Sequence, residues 1–138
     1  MPLYLLDTDH ISLIQRGHAN VVSRFRATPI KEIVVSVVSY EEQFRGWLKA
    51  ISRANTPERM ALAYVSLCKM HDLFCGLTML DFNLQVASIY DDLRRSHRRA
   101  GKCDLQIAAT TLAHDLTLVT RNTQDFISIA NLRLDNWA

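Results

Sequence analysis

The sequence predicts a three-layer α/β/α fold, in which a central parallel sheet of four or five strands lies between two layers of helices. Short apolar runs, typical of strands buried on both faces, alternate with longer segments in which apolar residues recur every three or four positions. This alternation is typical of β–α–β units with right-handed crossovers. Because the chain contains no repeat, linker or low-complexity segment, we expect residues 1–138 to form a single domain.

The clearest strand is predicted at 33–38, where nearly every residue is β-branched. Shorter apolar runs predict the other strands at 3–6, 77–80, 116–120 and 132–134. A helix is expected after the first strand, with Thr8, Asp9 or Ser12 as its N-cap and Asp9 as the strongest candidate.

Between the second and third strands the sequence predicts an inserted αα-hairpin. An apolar face at 44–51 is followed by Thr56 and Pro57, which are typical of a helix start, and then by a second apolar series at 60–74 that ends at Gly76.

The composition is that of a soluble globular protein, with 49% hydrophobic and 22% charged residues and a net charge of +2. Three cysteines without a disulfide-type spacing suggest a reducing compartment. No signal peptide and no apolar run near the roughly 20 residues of a membrane span is present. We therefore expect a cytoplasmic protein without membrane association.

Acidic or amide side chains occur in four segments that each lie where a strand gives way to a helix. These side chains are Asp7, Glu41 and Glu42, Asp104, and Asn122 with Asp125. The carboxyl ends of parallel strands share one edge, so the acids are expected to converge. Crowded carboxylates favour a hard cation such as Mg²⁺ or Mn²⁺, which predicts a metal-dependent hydrolase of phosphodiesters. Each acid alone has an ordinary alternative as a helix cap or first-turn residue.

One family resemblance rests on a single segment. Leu-Leu-Asp-Thr-Asp at 5–9 resembles the first motif of haloacid-dehalogenase-type phosphatases, in which the first Asp is the nucleophile. That family expects Thr or Val where this chain has Ile11, and its later Gly-Asp-x-x-x-Asp-type motif is absent. The phosphatase is therefore a minor alternative.

A second resemblance covers nearly the whole chain. Four segments resemble, in order, the signatures of PIN-domain ribonucleases, and within them of VapC-type toxins from bacterial toxin–antitoxin pairs. The segments are Leu-Asp-Thr-Asp at 6–9, Ser-Val-Val-Ser-Tyr-Glu-Glu at 36–42 with Gly46, Gly-Lys-Cys-Asp at 101–104, and Leu-Val-Thr-Arg-Asn-Thr-Gln-Asp-Phe at 118–126. The second segment selects Glu42 rather than Glu41 as the family's acid.

The resemblance implies a PIN-like fold and a Mg²⁺- or Mn²⁺-dependent endoribonuclease whose catalytic residues are Asp7, Glu42, Asp104, Asn122 and Asp125. Asp7 and Asp104 are the expected direct metal ligands, whereas Glu42 and Asp125 are further ligands or orient the attacking water. The family's fourth acid falls at Asn122, which brings an amide oxygen but no charge. Whether Asn122 or Asp125 fills that position stays open.

Basic residues crowd beside one of the acidic segments. Arg98, Arg99 and Lys102 precede Asp104, and Arg121 precedes Asn122. They form a candidate RNA-binding rim that holds phosphates without reading the base sequence. The alternative is a solvated helix end favoured by the helix dipole.

The resemblance also implies a small antitoxin as partner and a homodimer. The apolar residues of the αα-hairpin, including Trp47, Leu48, Met60 and Met70, exceed what two helices cover. We expect part of this surface to pack on the sheet and the rest to receive a partner helix or a second subunit. A PIN-like module that binds RNA or protein but cleaves weakly is the non-enzymatic alternative.

Two further features have mainly structural interpretations. His10 follows the first acids closely enough to touch a phosphate, but a partly exposed helix histidine is the preferred interpretation. Cys68, His71 and Cys75 align on one helix face, but a zinc site usually requires four ligands, so a structural face is expected.

Overall fold

The computed structural model describes all residues 1–138, which form a five-stranded parallel sheet with helices on both faces. The strands, in the spatial order β3-β2-β1-β4-β5, are β1 Tyr4–Leu6, β2 Ile33–Ser36, β3 Thr78–Leu80, β4 Thr117–Val119 and β5 Arg133–Asp135. The helices are α1 Thr8–Gln15, α2 Ala19–Ala27, α3 Val37–Arg53, α4 Pro57–Cys75, α5 Leu84–Ser96, α6 Lys102–Ala113 and α7 Thr123–Phe126. The predicted three-layer α/β/α fold with a central parallel sheet is confirmed.

Successive residues of the central strands point to opposite faces of the sheet, and each face has its own core. Leu5, Val34 and Leu118 pack against α6 on one face. Leu6 and Val35 pack on the other face, against α1, α2 and α4. The three layers follow from this alternation, because strands apolar on both faces need helices on both sides.

The strand predicted at 33–38 is two residues too long. It ends at Ser36, whose hydroxyl accepts a hydrogen bond from the backbone N–H of Val38 over 3.0 Å and so caps α3. Val37 and Val38 are therefore helical despite their β propensity, since the cap and the packing of Val38 outweigh it. Glu42 consequently lies in the second turn of α3, not in the first turn as predicted.

The predicted N-cap of α1 is also wrong. Asp7 caps this helix, accepting the backbone N–H of His10 over 2.7 Å. Thr8, Asp9 and Ser12 lie inside the helix, and all three bond to other side chains.

The inserted αα-hairpin is confirmed as α3 and α4. Thr56 caps α4 with Pro57 at its first position, and Gly76 is its C-cap. Met70 is buried against the sheet, whereas Leu48 and Met60 each keep 46% of their surface exposed. The hairpin is thus covered on one side only. None of the helices in the chain has the length and apolar character that a membrane span requires.

Candidate active site

The carboxyl ends of β1, β2 and β4 meet at the centre of one sheet edge. In the register of the sheet, Leu6 lies between Val35 and Val119, so Asp7 begins at the same level as the residues that follow β2 and β4. The backbone N–H of Asp7 donates to the carbonyl of Val119 over 3.1 Å, which holds the turn after β1 against the end of β4. This edge is where open parallel sheets bind ligands.

Asp7 is the most buried acid of the site, with 7% of its surface exposed. Its Oδ1 accepts the backbone N–H of His10 and lies 3.2 Å from the imidazole Nδ1 of the same residue. Asp7 is therefore both the helix cap, which was the ordinary alternative, and an acid at the edge of the sheet.

Glu42 is held by a hydroxyl pair that the sequence did not reveal. Thr8 donates to Glu42 Oε1 over 2.6 Å, and the hydroxyls of Thr8 and Ser39 lie 2.9 Å apart. Because the one hydroxyl proton of Thr8 is used on Glu42, Ser39 is the donor of the second bond. Thr8 and Ser39 are separated by 31 residues, so only the pairing of β1 with β2 brings them together.

Asp104 lies in the first turn of α6, which follows helix α5 and not a strand as predicted, and it does not cap that helix. The N-cap is Gly101, which has no side chain to offer, and the carboxylate of Asp104 makes no hydrogen bond or ion pair within the protein. Partial burial, and then the charges of Asp125, Asp7 and Glu42, raise the pKa of Asp104 above its ordinary value. Three of the predicted acids thus act electrostatically on the fourth, Asp104.

Asp125 and Asn122 lie on the segment after β4. Asn122 is the N-cap of α7, but its side chain makes no capping bond, and its backbone carbonyl accepts the N–H of Asp125 over 3.0 Å. Both side chains are exposed. Asp125 contributes negative charge at Asp104, whereas a contact of the Asn122 amide with the other site residues is not observed.

Asp104 separates two clefts in the surface. The first, of about 490 Å³, is lined by Asp104, Asp125, Arg98 and Arg99. The second, of about 440 Å³, is lined by Asp104, Glu42, Lys102 and Arg45. The predicted acids therefore lie beside basic side chains on both sides.

Three of the four predicted basic residues line these clefts, and the fourth is engaged elsewhere. Arg98, Arg99 and Lys102 border the acids, but Arg121 forms a bidentate ion pair with Asp9. Arg45, which the sequence analysis did not select, lines the second cleft and pairs with Glu41. The spacing of Glu41 and Arg45, one helical turn apart, was the available signal.

The donor set fits a hard divalent cation in its chemistry. The side chains are carboxylates, Asp104 has no cationic partner, and its partial burial, followed by the charges of three neighbouring acids, raises its pKa. No three His, Cys, Asp or Glu side chains are arranged to bind a single ion directly. A cation that keeps several waters and takes one or two carboxylates, as Mg²⁺ does, matches this open arrangement.

The two other features also have clear positions. His10 is fully buried, so both of its sequence interpretations, a phosphate contact and a partly exposed residue, are wrong. On α4, His71 Nε2 lies 3.3 Å from Cys75 Sγ and Nδ1 lies 3.1 Å from the hydroxyl of Tyr40. With Cys68 these residues do not form a three-ligand metal site.

Comparison with known proteins agrees with this fold. The PIN domain family model matches residues 4–132, and the chain belongs to that family. The resemblance to PIN-domain, VapC-type proteins is confirmed, and the phosphatase alternative is set aside.

The relatives match over nearly their whole length. Ribonuclease VapC2 of Haemophilus influenzae is 28% identical over 139 residues, covering 97% of each chain. The tRNA(fMet)-specific endonuclease VapC of Shigella flexneri is 26% identical and covers 98% of each chain. Among solved structures, FitAcB from Neisseria gonorrhoeae has a TM-score of 0.76 at 26% identity over 97% of each chain. VapBC2 from Rickettsia felis, bound to a DNA fragment from its promoter, has a TM-score of 0.75 at 25% identity over 99% of each chain.

Proposed function

We propose that this protein is a Mg²⁺- or Mn²⁺-dependent endoribonuclease and the toxin of a toxin–antitoxin pair. The observation that carries this proposal is the environment of Asp104. Its half-buried carboxylate has no partner within the protein and experiences the negative charges of Asp7, Glu42 and Asp125. Such an arrangement is electrostatically unfavourable by itself and becomes favourable once a cation is bound. The names of the relatives, a ribonuclease and a tRNA endonuclease, support RNA as the substrate.

In this proposal Asp7 and Asp104 hold the cation, with Glu42 and Asp125 beside them. A bound Mg²⁺ supplies Lewis-acid stabilisation of the phosphodiester and activation of a water molecule. Thr8 and Ser39 keep Glu42 in place, so that its second carboxylate oxygen is available to accept a proton from the attacking water. Asn122 offers an amide oxygen at the rim.

RNA would be held by the basic walls of the two clefts. Arg98, Arg99 and Lys102 lie on the same loop and helix start as Asp104, so a phosphate bound there is directed toward the acids. These contacts add affinity without base specificity. Arg121 joins them only when it leaves Asp9.

The partner surface would be the exposed side of the αα-hairpin. A cavity of about 640 Å³ lies between α1, α3 and α4, with Trp47 and Met70 in its walls. Leu48 and Met60 are exposed on the same two helices of the hairpin. An apolar helix of an antitoxin fits such a surface, and a second subunit is the other candidate occupant. The neighbouring solved structures are toxin–antitoxin complexes, which supports the antitoxin, and an Arg from it could pair with the acids. A cytoplasmic location remains a prediction from the free cysteines.

A cleavage assay tests the enzymatic proposal. RNA should be cut in Mg²⁺ or Mn²⁺ and left intact in excess chelator. Asp7→Asn removes the charge at nearly constant shape and should abolish cleavage, whereas Asp72→Asn, at an exposed position on α4, should not alter it. Full activity of Asp7→Asn, or full activity in chelator, would refute the mechanism.

The same variants separate the enzyme from its non-enzymatic alternative. A PIN-like module that only binds would retain RNA in a filter-binding assay without cutting it in any divalent metal. For the toxin role, expression of the wild-type chain should arrest growth, and co-expression of a neighbouring small protein should restore it. Asp7→Asn should be harmless and still bind that protein.

A further inference from the structure

His10 is a fully buried polar residue that connects the two ends of the chain. It lies in α1, three residues after Asp7, and its ring reaches the backbone of Trp137 in the C-terminal segment. Both ring nitrogens have partners: Nδ1 is 3.2 Å from Asp7 Oδ1, and Nε2 is 3.3 Å from the Trp137 nitrogen. A buried ring with two defined contacts has one orientation.

The Trp137 contact assigns the tautomer of this ring. A backbone N–H can only donate, so Nε2 must present its lone pair to Trp137. A neutral imidazole without a proton on Nε2 has its proton on Nδ1, which then donates to Asp7 Oδ1. The direction of both bonds follows from one backbone group of the C-terminal segment.

That backbone group is itself held firmly. The indole of Trp137 packs edge-on against Tyr4, with ring centroids 5.4 Å apart, and the guanidinium of Arg24 lies 5.3 Å from its centroid. Its Nε1–H donates to Asp135 over 3.2 Å, and only 4% of the residue is exposed. The acceptor nitrogen of His10 therefore faces a fixed donor.

The consequence reaches the two oxygens of Asp7, which become unequal. Oδ1 receives two N–H groups, from the backbone and from the ring of His10. Oδ2 has no hydrogen-bond partner in the protein, and since no buried side-chain polar atom lacks a partner, Oδ2 must reach the surface. Oδ1 is therefore used in hydrogen bonds within the protein, whereas Oδ2 is free to bind a ligand.

We propose that His10 is a positioning residue for the active site: in its Nδ1–H tautomer, set by the backbone of Trp137, it holds Asp7 so that Oδ2 alone binds the divalent cation. This inference rests on the proposed metal-dependent function. Histidines and carboxylates beside metal ligands commonly orient those ligands, and their loss costs about 10- to 100-fold in metal affinity or activity.

The tautomer is tested directly and without metal. In protein labelled with ¹⁵N-histidine, a long-range ¹H–¹⁵N spectrum should show the His10 ring protonated at Nδ1 and unprotonated at Nε2. A ring protonated at Nε2, or at both nitrogens, would overturn the inference.

The positioning role is tested by Mn²⁺ affinity, measured from the free-ion EPR signal. His10→Leu keeps an apolar volume but removes the donor, and it should weaken Mn²⁺ binding about 10- to 100-fold. His10→Asn, whose amide can replace the Nδ1 donor, should recover most of the affinity. Leu13→Ala, a core truncation on the same helix, should lower the melting temperature without weakening Mn²⁺ binding.

The outcomes separate the two proposals. If wild-type protein binds no Mn²⁺, the metal-dependent function fails and this inference fails with it. If wild-type protein binds Mn²⁺ and folded His10→Leu binds it equally well, only the positioning role is overturned. Should His10→Leu not fold, His10→Asn is the deciding variant. Equal losses of Mn²⁺ affinity in His10→Asn and Leu13→Ala would overturn the positioning role, because a general loss of stability would then explain both.

Discussion

Arg121 donates from Nε and Nη2 to both carboxylate oxygens of Asp9, over 2.6 and 3.1 Å, and so joins the segment after β4 to the first turn of α1. The pair lies at the surface, with 45% and 30% of the two side chains exposed. The pair lies beside the acids of the site. It holds the guanidinium of Arg121, which was predicted from the sequence to contact RNA.

The first prediction concerns this pair. Because exposed ion pairs contribute about 0–1 kcal/mol, Asp9→Asn should change the free energy of unfolding only slightly. It should release Arg121 and strengthen RNA binding, whereas Arg121→Gln should weaken binding and reduce the salt slope by about one. Filter binding at several salt concentrations measures both. Unchanged RNA affinity in both variants would leave the pair with a purely structural role.

The second prediction concerns the stability of the metal-free protein. The pKa of Asp104 is raised in the folded state, so the folded protein binds its proton more readily than the unfolded chain does. The contribution of Asp104 to the free energy of unfolding is therefore favourable below the ordinary pKa of Asp. That contribution is lost as the pH rises through the raised pKa of the folded state. In chelator at neutral pH, Asp104→Asn should melt at a higher temperature than wild type, and the difference should vanish in acid.

Divalent metal should reverse the order of the two melting temperatures, so that wild type melts above Asp104→Asn. If Asp104 is a metal ligand as proposed, Mg²⁺ should stabilise wild type by mass action and should stabilise Asp104→Asn less, because that variant lacks one carboxylate ligand. Thermal unfolding with and without Mg²⁺ is the measurement. An Asp104→Asn protein that is less stable than wild type in chelator at neutral pH would contradict the electrostatic argument.

The third prediction uses Cys103 as a reporter of the second cleft. Burial, and then the charges of Glu42 and Glu41, raise the pKa of this thiol, and thiolates are the reactive form. Cys103 should therefore label more slowly with a thiol reagent than the exposed Cys68 and Cys75. Glu42→Gln should accelerate labelling at Cys103.

Glu58→Gln is the matched control for that experiment, because Glu58 is exposed in the first turn of α4. It should leave the labelling rate of Cys103 unchanged. Mass spectrometry of the three cysteines over time provides the rates, and equal rates in the Glu42 and Glu58 variants would contradict the assigned electrostatic cause.

The fourth prediction concerns the hydroxyl pair that holds Glu42. Thr8→Val has nearly the same shape but cannot donate to Glu42, so RNA cleavage should fall by about tenfold or more, in the range found for residues that orient metal-site carboxylates. Thr8→Ser retains the hydroxyl and should keep most of the activity. Initial rates at saturating Mg²⁺ distinguish the two, and equal rates would mean that Glu42 needs no such support.

The sequence by itself determined the layers, and it predicted which polar residues lie at the carboxyl edge of the sheet. Apolar runs that are buried on both faces can be satisfied only by helices on both sides, and acids directly after such runs must lie at the carboxyl edge of a parallel sheet. Asp7 was predicted for this reason, whereas Asp104 follows helix α5 rather than a strand, so its selection rests on the family resemblance. The end of β2 was misplaced, because β-branched Val37 and Val38 look like strand until the cap at Ser36 is seen.

Only the tertiary structure decided the partners of each side chain. Thr8 meets Ser39 through strand register, Arg121 meets Asp9 across 112 residues, and His10 meets Trp137 across 127. No local pattern encodes such contacts, because they depend on how strands pair and on where the chain's last residues pack. The acids could be identified along the chain, but which of their oxygens are free is a property of the folded molecule.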